Sequence, residues 1–330
     1  MTTIKDVAKL AGLSICTVSR ALAGKDKIRP ETRERVFAAA KELDYKPNLS
    51  ARSLKTGSTH TLGLIMPDIT NPYYPKVAKY IEEYAEKFGY MLFFCNASED
   101  VKREQMLVES LKKRDVDGVL VLPCSCEIKH FESFSDAGIP YVFLNRKFPG
   151  NINCVPTDNF YGAYMMTKYV IQAGHRKISA AFLSFENQIY HERFDGAVRA
   201  LEEHGLKRCV EYFLFDIRDI GDAYQRISQM LLGADRPTAL VAANDMICIG
   251  AYGAASACGL RIPEDFSVTG YDDIPMAALM IPPLTSYRQS EEEIAKRGVD
   301  YLLSCIAGKP QPYGDRLRGE IIVRQSVARL

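Results

Sequence analysis

The sequence predicts a small all-α head of three short helices followed by an α/β body of two doubly wound, parallel-sheet lobes. Three observations predict it. Residues 1–60 carry twelve Lys or Arg against six Asp or Glu, which leaves 30 against 35, a net of −5, in the other 270 residues. The first 46 residues show helical apolar spacing punctuated by capping residues. From Leu62 onward, short apolar runs alternate with helical stretches, the rhythm of βαβ units.

A chain of 330 residues with 47% hydrophobic content suits two or three domains with ample core. The charge asymmetry suggests a polyanion-binding head on a neutral to acidic body. Nine scattered cysteines with no C-x-x-C pair fit a reducing cytoplasm and argue against a zinc site or any other metal. Cys124-Ser125-Cys126 reads as a loop feature. With no secretory signal and no stretch of about 18 apolar residues, the expectation is a cytoplasmic, nucleoid-associated protein without a membrane span.

In the head, Thr3 and Asp6 form a capping box before the stripe Ile4, Val7, Ala8, Ala11, and Gly12 closes that first helix. Ser14 then caps a second helix over residues 15–23, whose inward face is Val18, Ala21 and Leu22. Pro30 opens a third, over residues 31–44, that adds Val36, Ala40 and Leu43 to the same core. Two short helices joined by Ala11-Gly12-Leu13-Ser14 have helix-turn-helix spacing. Its outward residues Ile15, Cys16, Thr17, Ser19 and Arg20 stand where base edges are met in a major groove. Arg20 can pair bidentately with guanine, and Thr17 or Ser19 can anchor a phosphate. The alternative is a three-helix interaction module with a solvated basic face.

Residues 45–55 join head to body. Pro47 stops the preceding helix, and Asn48 or Ser50 can cap a new one. Residues 49–55 are too short to hold a helix alone, so they are expected to fold only against a partner, with Arg52 and Lys55 on phosphates and Leu54 as an apolar wedge. An ordinary linker ended by Thr56-Gly57-Ser58 is the other reading.

In the body, strands are expected over residues 62–66, 91–94, 119–122 and 141–144, with helices such as 73–88 and 101–114 between them. A second set follows at 178–183, 212–215, 239–242 and 266–270. Two lobes in sequence make a clamshell, and open α/β sheets bind ligands beyond the carboxyl ends of their strands. The candidates there are polar and aromatic. Arg193, Asn244 and Asp272 could each hold two neighbouring hydroxyls, and Tyr73 and Tyr74 offer ring faces. Asn and Asp after a strand also serve as helix caps, which is the plainer role for any one of them.

Three blocks together resemble the lactose-repressor (LacI/GalR) family of bacterial transcription regulators. They are Thr3-Ile-Lys-Asp-Val-Ala with Thr17-Val-Ser-Arg20; Tyr45-x-Pro-Asn48 with Ala51-Arg-Ser-Leu54; and Ala243-Asn-Asp245 with Gly270-Tyr-Asp-Asp273 and Pro282-Pro-Leu-Thr285. The resemblance implies a DNA-binding domain at 1–46, a hinge helix and linker at 47–59, and a periplasmic-binding-protein-like effector and dimerisation domain at 60–330. It also implies lobe crossovers near residues 158, 287–290 and 317–319, so that lobe 1 holds about 60–158 and 288–317, and lobe 2 about 159–287 and 318–330.

By the same resemblance, Thr3, Ser14, Ile15, Cys16, Thr17, Ser19, Arg20, Tyr45, Asn48, Ala51, Leu54 and Lys55 contact DNA. Tyr73, Tyr74, Asn145, Asp158, Asn187, Arg193, Asn244 and Asp272 surround a small effector, with Arg193 and Asp272 chelating its hydroxyls. The protein is expected to be a homodimeric repressor on a pseudo-palindromic operator, with no cofactor, responding to a sugar or sugar derivative. A purine or a partner protein acting as corepressor is the alternative. Some positions depart from the family pattern: Ile15 and Cys16 replace the usual base readers, Arg29 a capping serine, and Ile217 falls where an aromatic platform is common. With no heptad tail before Leu330, a tail-mediated tetramer is not expected.

Two rival classes lack support. An α/β enzyme would want a G-x-G-x-x-G, a Walker lysine or a G-x-S-x-G motif, and the sequence has none. His191-Glu192 starts like a zinc-binding helix but is followed by Asp195 where the second His belongs. A transport solute-binding protein would need an export signal and fewer free thiols.

Overall fold

The computed structural model describes residues 2–22, 28–45, 58–148, 153–184, 187–311 and 314–330. They divide into two compact units, Met1–Thr59 and His60–Leu330.

The first unit holds α1 (Ile4–Ala11), α2 (Ile15–Leu22) and α3 (Pro30–Glu42). The Thr3 amide and hydroxyl both donate to Asp6 Oδ2, at 2.9 and 2.7 Å, which fixes the start of α1. Gly12, at φ 61°, ends that helix, and Leu13 N turns back to the Ala8 carbonyl at 3.0 Å. Val7, Val18, Ala21 and Val36 are fully buried where the helices meet, while Leu22 is only half-buried. Arg35 Nη2 donates to the Ala11 carbonyl at 2.7 Å and pins α3 to the turn. Arg29, at the head of α3, supplies no side-chain cap. The third helix stops at Glu42, earlier than expected, because Asp44 adopts φ 45° and Tyr45 N returns to the Ala40 carbonyl at 2.8 Å.

The second unit is built from two five-stranded sheets. The first runs through β1 (Thr61–Met66), α4 (Tyr73–Glu86), β2 (Met91–Asn96), α5 (Val101–Lys112), β3 (Gly118–Val121), α6 (Glu132–Asp136), β4 (Tyr141–Leu144) and β5 (Cys154–Val155), with all-parallel order β2-β1-β3-β4-β5. Leu62 aligns with Gly118, and Val119 with Tyr141. The second sheet begins with α7 (Asn159–Gln172), β6 (Ile178–Ala181), α8 (Gln188–Glu203), α9 (Ile220–Leu232), β7 (Ala239–Ala242) and α10 (Asp245–Ala257). It continues through β8 (Ser267–Tyr271), β9 (Thr285–Arg288), α11 (Glu291–Ile306) and β10 (Glu320–Ile322), in order β10-β9-β8-β7-β6, with only β10 antiparallel to its neighbour. Near-continuous apolar runs such as Leu64–Met66 and Leu240–Ala242 are buried because helices cover both faces.

One expected strand is missing. Residues 207–212 form a 3₁₀ turn, and only Leu214 pairs with β6, through Leu214 N to the Ala180 carbonyl at 2.8 Å and Phe182 N to the Leu214 carbonyl at 2.9 Å. Phe213 and Phe215 belong instead to a ring cluster with Phe182 and Phe194, whose centroids lie 5.7–6.3 Å apart. That apolar run is a side-chain plug and not a strand. A strand not foreseen, β9, stands beside β8 instead.

The chain passes between the sheets three times. Asp158 N donates to the Leu317 carbonyl at 2.8 Å, Ser290 Oγ to the Arg318 carbonyl at 2.7 Å, and Arg318 Nε to Asp158 Oδ2 at 2.9 Å, so the three segments run side by side. After the second passage, α11 packs on α4, β3, β4 and β5 of the first sheet. Lys76 Nζ to Glu291 Oε1 at 2.8 Å and Tyr84 OH to Asp300 Oδ1 at 3.0 Å fasten it there.

Candidate functional site

The carboxyl ends of the two sheets face each other across a narrow cleft. Tyr73 and Tyr74 reach it from the start of α4, Asn145 and Arg146 from the end of β4, Tyr190 and Arg193 from the first turns of α8, Asp272 from the end of β8 and Gln289 from the end of β9. Strand ends place these side chains because each chain leaves its sheet there and turns. Asn145 and Asp272 make that turn at φ 63° and 103°, in the region that L-residues other than Asn and Asp seldom enter.

Arg193 organises the floor. Its Nε donates to Asn159 Oδ1 at 3.0 Å, its Nη1 to the Ala243 carbonyl, and its guanidinium lies 3.5 Å from the Tyr271 ring centroid. Asp272 sits 3.7 Å from Arg193 Nη2 and accepts from Gln289 Nε2 at 2.8 Å. Burial pushes the Asp272 carboxyl up to about 6, although Arg193 and Gln289 pull the other way. Asn145 Nδ2 donates to Tyr73 OH, and burial holds the Tyr73 and Tyr74 phenols well above the usual tyrosine range, hence neutral. Asn145 Oδ1 and Gln289 Oε1 are buried without a hydrogen-bond partner, which leaves two acceptors and a carboxylate for a ligand rich in N–H or O–H donors.

Five of the eight effector candidates therefore line one cavity: Tyr73, Tyr74, Asn145, Arg193 and Asp272. The other three serve first as helix caps. Asp158 accepts from Tyr161 N at 3.0 Å and pairs with Arg318 at the lobe passage; Asn187 accepts from Ile189 N at 3.0 Å; Asn244 accepts from Ile247 N at 3.0 Å. Asn244 also lines an outer cavity with Asp68, Asn71, Glu99, Tyr190, Ile217 and Arg218. Ile217 presents an aliphatic side chain there and no ring. Gln289 was not singled out as a ligand residue. Gln289 fell within an expected crossover because the polar run Thr-Ser-Tyr-Arg of β9 carries no apolar strand signal; once β9 is known, the post-strand rule finds it.

In the first unit, α2 exposes Ile15, Cys16 and Arg20, with Ser14 exposed just ahead of it, while Thr17 and Ser19 are half-buried. Thr17 is already engaged: its amide donates to Ser14 Oγ at 3.1 Å, and the two hydroxyls lie 2.8 Å apart. Thr3 is exposed but bonded to Asp6, and Tyr45 is half-buried beside the helical core. Asn48, Ala51, Leu54 and Lys55 lie outside the described residues. Among the described residues no helix is long and apolar enough to cross a membrane, and no group of three or more His, Cys, Asp or Glu could hold a metal ion.

Comparison with known proteins agrees along the whole chain. Residues 3–48 match the bacterial regulatory proteins of the lacI family, and residues 167–327 a periplasmic binding protein-like domain. The HTH-type transcriptional repressor PurR of Haemophilus influenzae (strain PittEE) is 35% identical over 335 residues, covering 99% of each chain. The repressor of the same name from Mannheimia succiniciproducens is 33% identical over 340 residues, covering both chains entirely. Among solved structures, the lac repressor dimer bound to operator and the anti-inducer ONPF is similar with a TM-score of 0.88 at 25% identity, over 99% of each chain. The regulator CelR in complex with cellobiose has a TM-score of 0.74 at 28% identity, over 99% of this chain and 100% of its own. A LacI-family regulator from Enterococcus faecium with bound ribose has 0.73 at 27%, over 82% and 99%. With a basic helix-turn-helix unit, a two-lobed cleft and relatives above 30% identity over their full length, the chain belongs to the lacI family of bacterial regulatory proteins and is a DNA-binding transcriptional regulator, not an enzyme.

Proposed function

We propose that this regulator is a homodimeric repressor whose operator affinity is set by a small polyhydroxylated effector, a sugar or sugar derivative, in the cleft between the two sheets. The observation that carries the reading is the convergence of Arg193, Asp272, Gln289 and Asn145 from strand and helix ends of both lobes on one buried space, with Asn145 Oδ1 and Gln289 Oε1 unpartnered. At 3.7 Å the Arg193–Asp272 pair is too long for a direct hydrogen bond. Neighbouring hydroxyls of one ligand fit there, accepting from the guanidinium and donating to the carboxylate. Cellobiose in CelR and ribose in the Enterococcus faecium regulator support the sugar class.

A purine is the second reading, favoured by the name PurR shared by the curated relatives. Tyr73, Tyr74 and Tyr190 supply rings on one side, and Ile217 would give an aliphatic wall on the other.

The effector acts by linkage. A ligand bound by both lobes favours one angle between them, and that angle sets the spacing of the two hinges (residues 47–59) in the dimer, where the hinge helix is expected to fold on DNA. Coupling of this kind is worth about 1 to 3 kcal/mol and works equally in both directions. Thermal-shift screening of the full chain against sugars, sugar phosphates and purines tests the reading, since only ligands of the folded cleft raise the melting temperature. Stabilisation by a sugar that disappears in Arg193→Ala is the expected result, and stabilisation by purines alone would replace the sugar reading with the second one.

A further inference from the structure

The two arginines of the cleft are held differently. Arg193 is engaged on every side, by Asn159, the Ala243 carbonyl, Asp272 and the face of Tyr271. Arg146 is just as buried, at 4% exposure, and lines the same cavity beside Tyr74 and Tyr190. Its hydrogen bond among the described residues runs from Nη1 to the Ser125 carbonyl at 2.8 Å, and no described carboxylate pairs with it. A guanidinium carries five N–H donors. The nearby acids do not neutralise it directly: Glu104 spends its oxygens on Cys124 N and His130 Nε2, each at 2.9 Å, and Glu99 is itself pushed toward its neutral form by burial and by Asp68. Burial also holds Arg146 below the usual arginine range. A buried cation without a counter-charge is costly, and the cost is relieved when a bidentate acceptor of opposite charge arrives.

We propose that the effector carries an oxyanion, a phosphate ester or a carboxylate, and that Arg146 is the residue that seats it and selects for it. This rests on the cleft being the effector site. Asp272, Gln289 and Asn145 take the hydrogen-bond donors of the ligand body, while the fork of Arg146 takes its charged end a short way toward the first sheet. A neutral polyol fills the first set and leaves the guanidinium uncompensated.

The test is calorimetric titration of the full-length protein with matched neutral and anionic probes: ribose against ribose 5-phosphate, glucose against gluconate, guanosine against its 5′-monophosphate, with inorganic phosphate as a fourth arm. In at least one pair the anionic member should bind roughly 10- to 100-fold more tightly, as expected for a charge-assisted bidentate contact. Arg146→Gln should reduce that advantage to less than about threefold, and Arg146→Lys should keep part of it. The phosphate and carboxylate arms tell the two oxyanions apart. Should Arg146→Gln fail to give a native melting curve, the Lys variant and the wild-type pairs decide alone. Neutral members that bind as tightly as their anions, or an anion preference that survives in both variants, would overturn the inference and leave the effector reading standing. Absence of binding by every probe would overturn both.

Discussion

Arg193 and Asp272 face each other at 3.7 Å in the cleft, close enough to attract and too far apart to share a hydrogen. The Asp272 carboxyl, pushed up to about 6 by burial, feels the arginine without being satisfied by it. Its folded-state value lies above the ordinary one of 3.8, so its contribution to stability is present below about pH 4 and is lost as pH rises through 6. A ligand that donates hydrogen bonds to the carboxylate favours the ionised form. Effector affinity should therefore rise about tenfold between pH 5 and 7 in calorimetric titrations, with proton release on binding near pH 6. In Asp272→Asn the profile should be flat and the affinity low.

Replacement of Gly319 by alanine should destabilise the second unit. A Cβ there would run into the Arg288 carbonyl oxygen at the lobe passage, against backbone and not a pliable side chain. Overpacking of this kind costs about 1 to 3 kcal/mol. A lowered denaturant midpoint, together with weakened effector binding because β9 leads to Gln289, is the expected outcome. Unchanged values for both would mean that the passage yields easily.

In the head, Arg20 is exposed at the end of α2 and outside the helical core. Arg20→Ala should leave the melting curve of the protein intact and lower specific operator affinity by about 1 to 3 kcal/mol, with relaxed preference at one base pair. Binding titrations on operators substituted at each position measure it. An equal loss on all sequences would make Arg20 a phosphate contact instead.

Leu54 lies outside the described residues, and its proposed role as a wedge comes from sequence. Leu54→Ala should reduce both operator affinity and the bend seen in gel-mobility phasing, by a few kcal/mol in affinity, while effector affinity in the free protein stays the same. Full-strength bending by the mutant would remove the hinge from the mechanism.

Large apolar side chains stand open on the second unit: Leu279 and Ile281 are 79% and 91% exposed, and Met91 on the edge strand β2 is 71% exposed. Single exposed residues are common, but patches of them mark interfaces. If they bury against a second copy, Ile281→Asp with Leu279→Asp should shift sedimentation from dimer to monomer at micromolar concentration and weaken operator binding in parallel. A double mutant that remains dimeric would move the interface elsewhere.

Much of this arrangement was legible in the sequence, for reasons that particular residues show. Thr3, Asp6, Gly12 and Pro30 are local signals whose physics needs no tertiary partner, and they fall where helices begin or end. Buried parallel strands announce themselves as apolar runs, so β1, β3, β4 and β7 could be found within a residue or two. The errors occur where long-range packing outweighs local pattern. Phe213 and Phe215 look like strand residues but are drawn into a ring cluster, and the polar β9 is a strand only because β8 and β10 flank it. The site follows the same rule: residues after recognised strands were found, and Gln289, after the unrecognised one, was not. The unpaired state of Arg146 has no sequence signature, since it depends on which carboxylates packing leaves within reach.

The position of α11 also bears on how the protein is made. The first sheet is complete in sequence at Val155, yet the helix that covers β3, β4 and β5 begins only at Glu291. During synthesis at about 5 to 20 residues per second, that gap of 136 residues leaves an apolar sheet face bare for roughly 7 to 27 seconds. A nascent chain in that state is a natural client for ribosome-associated chaperones, and starving a cell of them should cost this protein more yield than one whose lobes each close before the next begins.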